Sequence, residues 1–262
     1  MARVESAPAP ETMAGRIPGI LAYLVHVDSL LAMGVLAIVL SLLEWVAALP
    51  GELTPLANVV ARLIWGVYFY LVARKAALGK LRLPTLGDYR DLVDALIKPV
   101  VAVGFATSWY WLLLGAASLW QVDLSEYLAR FQAHPLVFLR QQGAVGSFLL
   151  AAGLIYLPVA LVGTLAGAPR LWRHLDPTHG FRLVWRVPHA FAVMFTLLSV
   201  LALLGFTLEA LSMRLVEALP IPLAAPVIRH LMRLWVPLAQ ARLVGGFVHH
   251  NRAFLRPEVV DE

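Results

Sequence analysis

The sequence predicts an all-α integral membrane protein with six transmembrane helices and short interfacial amphipathic helices. Three observations carry this. Hydrophobic residues make up 60% of the 262-residue chain and charged residues 14%, against about 45–50% and about 25% in a soluble domain. The apolar residues fall into blocks of membrane-spanning length. The Lys and Arg content of the connections between those blocks alternates between high and low, as it does when successive loops lie on opposite sides of a bilayer.

Composition also narrows the function. The net charge of +5 sits mainly between apolar blocks and not on a basic stripe with interleaved aromatics. It therefore reads as topology, with membrane lipid as the expected partner and no nucleic acid. The chain has no cysteine, which removes disulfides, thiolate metal sites and cysteine nucleophiles. Arginine far outnumbers lysine, and Ala and Leu are abundant, a pattern of GC-rich bacterial genomes.

Residues 1–16, MARVESAPAPETMAGR, read as a disordered cytoplasmic tail, 17–251 as the six-helix transmembrane domain and 252–262 as a second cytoplasmic tail. No good cleavage site closes the first apolar block, so that helix is expected to stay in the mature protein. The block runs over 17–49. His26 and Asp28 split it into an interfacial part, 20–27, and a span, 30–49. Pro50-Gly51 and Pro55 make a turn before the second span, 56–73, which ends at Arg74-Lys75.

In the next connection Tyr89, Leu92, Val93 and Leu96 recur at helical spacing opposite Arg90, Asp91, Asp94 and Lys98, which predicts an amphipathic surface helix. Pro99 opens the third span, 100–120. A second amphipathic turn follows: Asp123 and Glu126 resemble a capping box, and Leu124, Tyr127, Leu128 and Phe131 form its stripe. The fourth span, 143–168, holds Pro158 and the small pair Gly163 and Gly167. A basic connection, 170–186, leads to the fifth span, 188–211, a short turn over 212–222 and the sixth span, 223–251. A weak echo between 92–105 and 183–195, each a connection, a proline and a new span, leaves an internal repeat open.

Orientation follows from the basic residues. The loop 50–55 has none. The connection 74–98 carries Arg74, Lys75, Lys80, Arg82, Arg90 and Lys98, and 121–142 carries Arg130 and Arg140. The connection 170–186 carries Arg170, Arg173, Arg182 and Arg186, and 212–222 only Arg214. Both termini are therefore expected in the cytoplasm of a bacterium, the protein being a multi-pass protein of its inner membrane.

The residues that stand out are charges inside apolar helices. Arg229 and Arg233 are four apart in the sixth span, and Gln240 returns to their face two turns on. One reading makes this face a binding site for an anion, a lipid headgroup or a substrate carboxylate. The other has the arginines satisfied by carboxylates or carbonyls, fixing helix packing. Glu44 and Arg62 reach similar depth in the first hairpin and form the expected intramembrane ion pair, while Glu209 is placed to meet Arg229. Arg242 reads as a topology anchor. His26 with Asp28, His174 with Asp176 and His179, and His249-His250 lack the spacing of a helical zinc motif, and Ser147 lacks a nucleophile-elbow setting. No catalytic residue, metal site or cofactor is assigned.

Tyr156-Leu157-Pro158 ahead of a small-residue span, the run VPHAF over 187–191, and Ala241-Arg242-Leu243-Val244-Gly245 before His249-His250-Asn251 complete the pattern. Over about residues 56–252 this resembles uncharacterised bacterial polytopic membrane proteins of a domain-of-unknown-function family, the one numbered four thousand and thirteen. The resemblance implies a small multi-helix inner-membrane protein and carries over no catalytic residues. The expected function is a non-enzymatic scaffold or accessory membrane protein, with a membrane protein partner or a homo-oligomer as its assembly. The alternatives are a transporter or permease-like protein using the arginine face, and an intramembrane enzyme.

Overall fold

The computed structural model describes residues 27–48, 53–80, 83–84, 115, 155–166, 177–218 and 224–255. Helices α1 (Val27–Ala48), α2 (Leu53–Ala77), α3 (Ile155–Leu165), α4 (Pro177–Arg186), α5 (Pro188–Ala218), α6 (Ala224–His250) and α7 (Arg252–Leu255) account for nearly all of them. No strand occurs among the described residues. The chain divides into two compact units, Met1–Thr85 with His189–Phe247 and Leu86–Pro188 with Val248–Glu262.

Three helices are long and apolar enough to cross a membrane, over Ser29–Ala48, Leu56–Ala77 and Pro188–Ser212. These match the first, second and fifth expected spans. The sixth, α6, has the length but is interrupted by Arg229, Arg233, Gln240 and Arg242, and so falls outside this apolar class. Of the fourth span the described part is the short apolar helix Ile155–Leu165. The third span apart from Gly115, the interfacial stretch 20–27 (apart from Val27, which opens α1) and the amphipathic segments around 89–98 and 121–142 lie outside the described residues.

Two expectations need correcting. The segment 212–222, read as a turn, is helical as far as Ala218. Its breakers, Pro220 and Pro222, come only after that point, so nothing stops α5 sooner. The basic connection 170–186 contains helix α4. In the sequence Asp176-Pro177 has the pattern of a helix start, with a proline suited to the first helical position, a signal that the arginine count obscured.

The first unit is built around α6. Leu234, Leu238, Ala239, Ala241, Leu243, Val244 and Phe247 are all buried, on several sides of the helix. The more apolar α5 is the opposite: only 11% of its spanning window is buried, and Val200, Leu203 and Phe206 are exposed. In a bilayer this is the expected arrangement, because lipid solvates an apolar helix and the polar one belongs inside. Helix α5 also silences its own hydroxyls. Thr196 and Ser199 each donate to the carbonyl four residues back at 2.9 Å, and Thr207 donates to Leu204 at 2.8 Å. On α1 the buried Ser41 does the same to Ala37 at 2.7 Å. Such bonds let a hydroxyl face hydrocarbon without an unmet donor.

Helices α5 and α6 run antiparallel. Phe191 stacks obliquely on Phe247 with centroids 4.7 Å apart, Gln240 reaches the Leu198 carbonyl, and Val236 lies against Gly205. Rising numbers on α5 meet falling numbers on α6. Helix α1 packs against α2, and α2 against α6 through small residues. Lipid is as apolar as leucine, so hydrophobicity alone does not join helices there, and close backbone approach does. Gly245 makes that approach: a Cβ built on it would lie 2.6 Å from the Ala76 Cβ and in hard collision with the Ala73 carbonyl oxygen.

A methyl group at this position therefore has nowhere to go. Gly245→Ala is expected to destabilise the protein by about 1–3 kcal/mol, the usual cost of overpacking. Thermal unfolding in detergent checks it. Gly246→Ala is the control, since a Cβ there meets nothing within 4 Å.

Candidate functional site

The arginines of α6 fall where its neighbours offer carboxylates. Glu44 lies four residues before the end of α1 and Arg229 five after the start of α6, so both sit about 6–8 Å from their helix ends. Glu209 lies nine residues before the end of α5 and Arg233 nine after the start of α6, about 14 Å in each case. The two layers are one helical turn apart. Pro237 lies one turn beyond Arg233 and removes the amide that would have bonded the Arg233 carbonyl.

In the upper layer the Arg229 guanidinium (Nη2) donates to Glu44 Oε1, and His230 Nε2 lies 2.8 Å from Glu44 Oε2. An ionised carboxylate only accepts, so His230 presents this nitrogen as N–H. In the lower layer Arg233 Nη2 donates to Glu209 Oε1 at 2.5 Å. Two turns further along, Gln240 Nε2 donates to the Leu198 carbonyl at 3.3 Å. The three residues singled out on this face thus bond to two helices: Arg229 to α1, and Arg233 and Gln240 to α5.

The expected pairing was Glu44 with Arg62 and Glu209 with Arg229. The structure sets Glu44 against Arg229 and His230, and Glu209 against Arg233. Arg62, on α2, is exposed. Depth along α1 and α2 does not encode the approach of α6, about 185 residues away in sequence. His230 was not singled out at all; the one signal for it is its place beside an arginine in an otherwise apolar helix.

With His230 neutral, two arginines and two glutamates leave the cluster without net charge. Its side chains are partly open, 28% and 43% exposed for Arg229 and Glu44 and 41% and 40% for Arg233 and Glu209. The Arg229 Nε is buried without a hydrogen-bond partner. In water, pairs this open contribute about 0–1 kcal/mol. In hydrocarbon the alternative to pairing is a bare charge, which costs about 2.5–3.5 kcal/mol at the centre of a span. The chief effect of the carboxylates is therefore to answer the charges of α6 and to fix which neighbours it takes.

Among the described residues no group of three or more His, Asp or Glu side chains is arranged to hold a metal ion. The chain matches no protein-family model, no curated protein and no solved structure.

If the lower pair is a mutual requirement, Glu209→Gln and Arg233→Gln should each lower stability by about 2 kcal/mol. The charge exchange Glu209→Arg with Arg233→Glu should recover more than half of that loss. Melting these proteins beside the double variant Glu209→Gln/Arg233→Gln in the same detergent closes the cycle, and strictly additive losses in the double glutamine variant would show that the two residues do not act as a pair.

Proposed function

We propose that the chain is a non-enzymatic, polytopic inner-membrane protein that serves as a scaffold or accessory component. In this reading it crosses the membrane six times with both termini in the cytoplasm, as the alternation of basic loops suggests. One observation carries the proposal. Each arginine on the face that would have bound a substrate already has a carboxylate from a neighbouring helix: Glu44 for Arg229 and Glu209 for Arg233. The charges are used up in holding α6 to α1 and α5, and what the unit offers outward is apolar helix surface, above all on α5. The resemblance to bacterial polytopic membrane proteins without assigned activity points the same way. A membrane protein or a second copy of this chain fits such a surface.

A second reading rests on the partial exposure of the same pairs and on the unbonded Arg229 Nε. A headgroup phosphate or a substrate carboxylate entering this face would compete with Glu44 for Arg229, as a permease-like mechanism requires.

Arg233→Ala separates the two. A scaffold should lose stability or its co-purifying partner, read by gentle extraction and mass spectrometry, while uptake of small anions into cells or vesicles stays unchanged. Loss of uptake of any anionic solute, with partner and folded yield intact, would favour transport.

A further inference from the structure

In the second unit α4 and α7 are neighbours, and together they form a surface that the ion pairs of α6 do not explain. Helix α4, PTHGFRLVWR, is sharply two-faced. Gly180 and Leu183 are buried. Tyr156 of α3 lies directly on Gly180: a Cβ built there would stand 2.5 Å from the tyrosine oxygen. The Tyr156 ring also meets Phe181 with centroids 6.3 Å apart. The helix is thus held by one side, through a glycine that admits an aromatic ring.

Its other side is fully presented. Phe181 is 59% exposed and Trp185 79%, and the four-residue step between them puts both on one flank. Arg182 and Arg186, also four apart, are exposed on the adjacent flank. Helix α7, in contact with α4, adds exposed Arg252 and Phe254, while its Leu255 is buried. Neither helix contains an acidic residue, and among the described residues none of the three arginines takes part in an ion pair.

Aromatic rings flanking arginines on a short amphipathic helix are the chemistry of the membrane interface. The rings enter the boundary of headgroups and acyl chains, and the guanidiniums meet phosphates. We infer that α4 and α7 form an interfacial platform that binds anionic phospholipid headgroups through Arg182, Arg186 and Arg252, with Phe181, Trp185 and Phe254 set into the bilayer surface. Charge decides the occupant. A zwitterionic surface would use the rings and leave three positive charges uncompensated, whereas an anionic one satisfies both. The inference needs only the membrane setting, so it stands or falls independently of the scaffold role.

The test uses the full chain, reconstituted with equal amounts of phosphatidylglycerol and phosphatidylcholine, re-extracted and weighed with its retained lipid by native mass spectrometry. Each arginine near an anionic surface strengthens binding about fivefold. The wild type should therefore retain phosphatidylglycerol at least fivefold over phosphatidylcholine, and the preference should shrink as salt is raised. The triple variant Arg182→Gln, Arg186→Gln, Arg252→Gln should lose it, and the corresponding triple lysine variant should keep most of it. Equal retention of both lipids by the wild type, a preference indifferent to salt, or one that survives in a folded glutamine variant would overturn the proposal. So would capture of a protein through the same arginines with no lipid preference. If the glutamine variant does not fold, the wild-type lipid ratio and its salt dependence still decide.

Discussion

An arginine in a long, otherwise apolar helix must be answered, and the first unit of this protein is arranged to answer two of them. Helix α6 carries Arg229 and Arg233 one turn apart, which commits it to neighbours that can supply a carboxylate at each depth. Glu44 on α1 and Glu209 on α5 do so. Once these pairs form, little freedom is left. The register of α5 on α6 is set by Glu209–Arg233 and carried down by Gly205–Val236, Leu198–Gln240 and Phe191–Phe247. Rotating α6 by a quarter turn, or sliding it by one, would break a charge pair and an aromatic contact together.

Away from the charges the joints are steric. Gly245 brings the backbone of α2 against α6, and Gly205 receives Val236 from α6. These contacts work by removing side-chain volume, which lets the helix backbones approach closely. The polar pairs choose the partner helices and small residues set how near they come. Neither device would suffice alone: charge pairs tolerate several geometries, and small-residue faces recur on α1 and α2 without naming a partner.

Much of the architecture was legible because membrane physics writes long signals. Blocks of apolar residues marked α1 and α2 within a few residues of their ends and α5 at its start, and the extent of α6 was visible despite its charges. The face shared by Arg229, Arg233 and Gln240 followed from helical spacing, and all three do bond to neighbouring helices. Their partners were not legible. Depth along a helix can be counted from its ends, but which helix stands beside which is a tertiary fact, so Glu44 was assigned to Arg62 and Arg229 to Glu209. Helix α4 was missed for a different reason. Its arginines satisfied the loop-charge rule so well that the four-residue steps Phe181–Trp185 and Arg182–Arg186 went unread.

The most direct test of α6 as the centre of the unit exploits the absence of native cysteine. A Cβ built at Gly205 lies 3.6 Å from the Val236 Cβ, within the range of about 3.5–4.5 Å that a disulfide spans. Gly205→Cys with Val236→Cys should cross-link in native membranes under mild oxidation, whereas exposed Leu203→Cys with the same partner should not. Efficient linking through position 203, or none through 205 in folded protein, would contradict the register that brings Glu209 to Arg233.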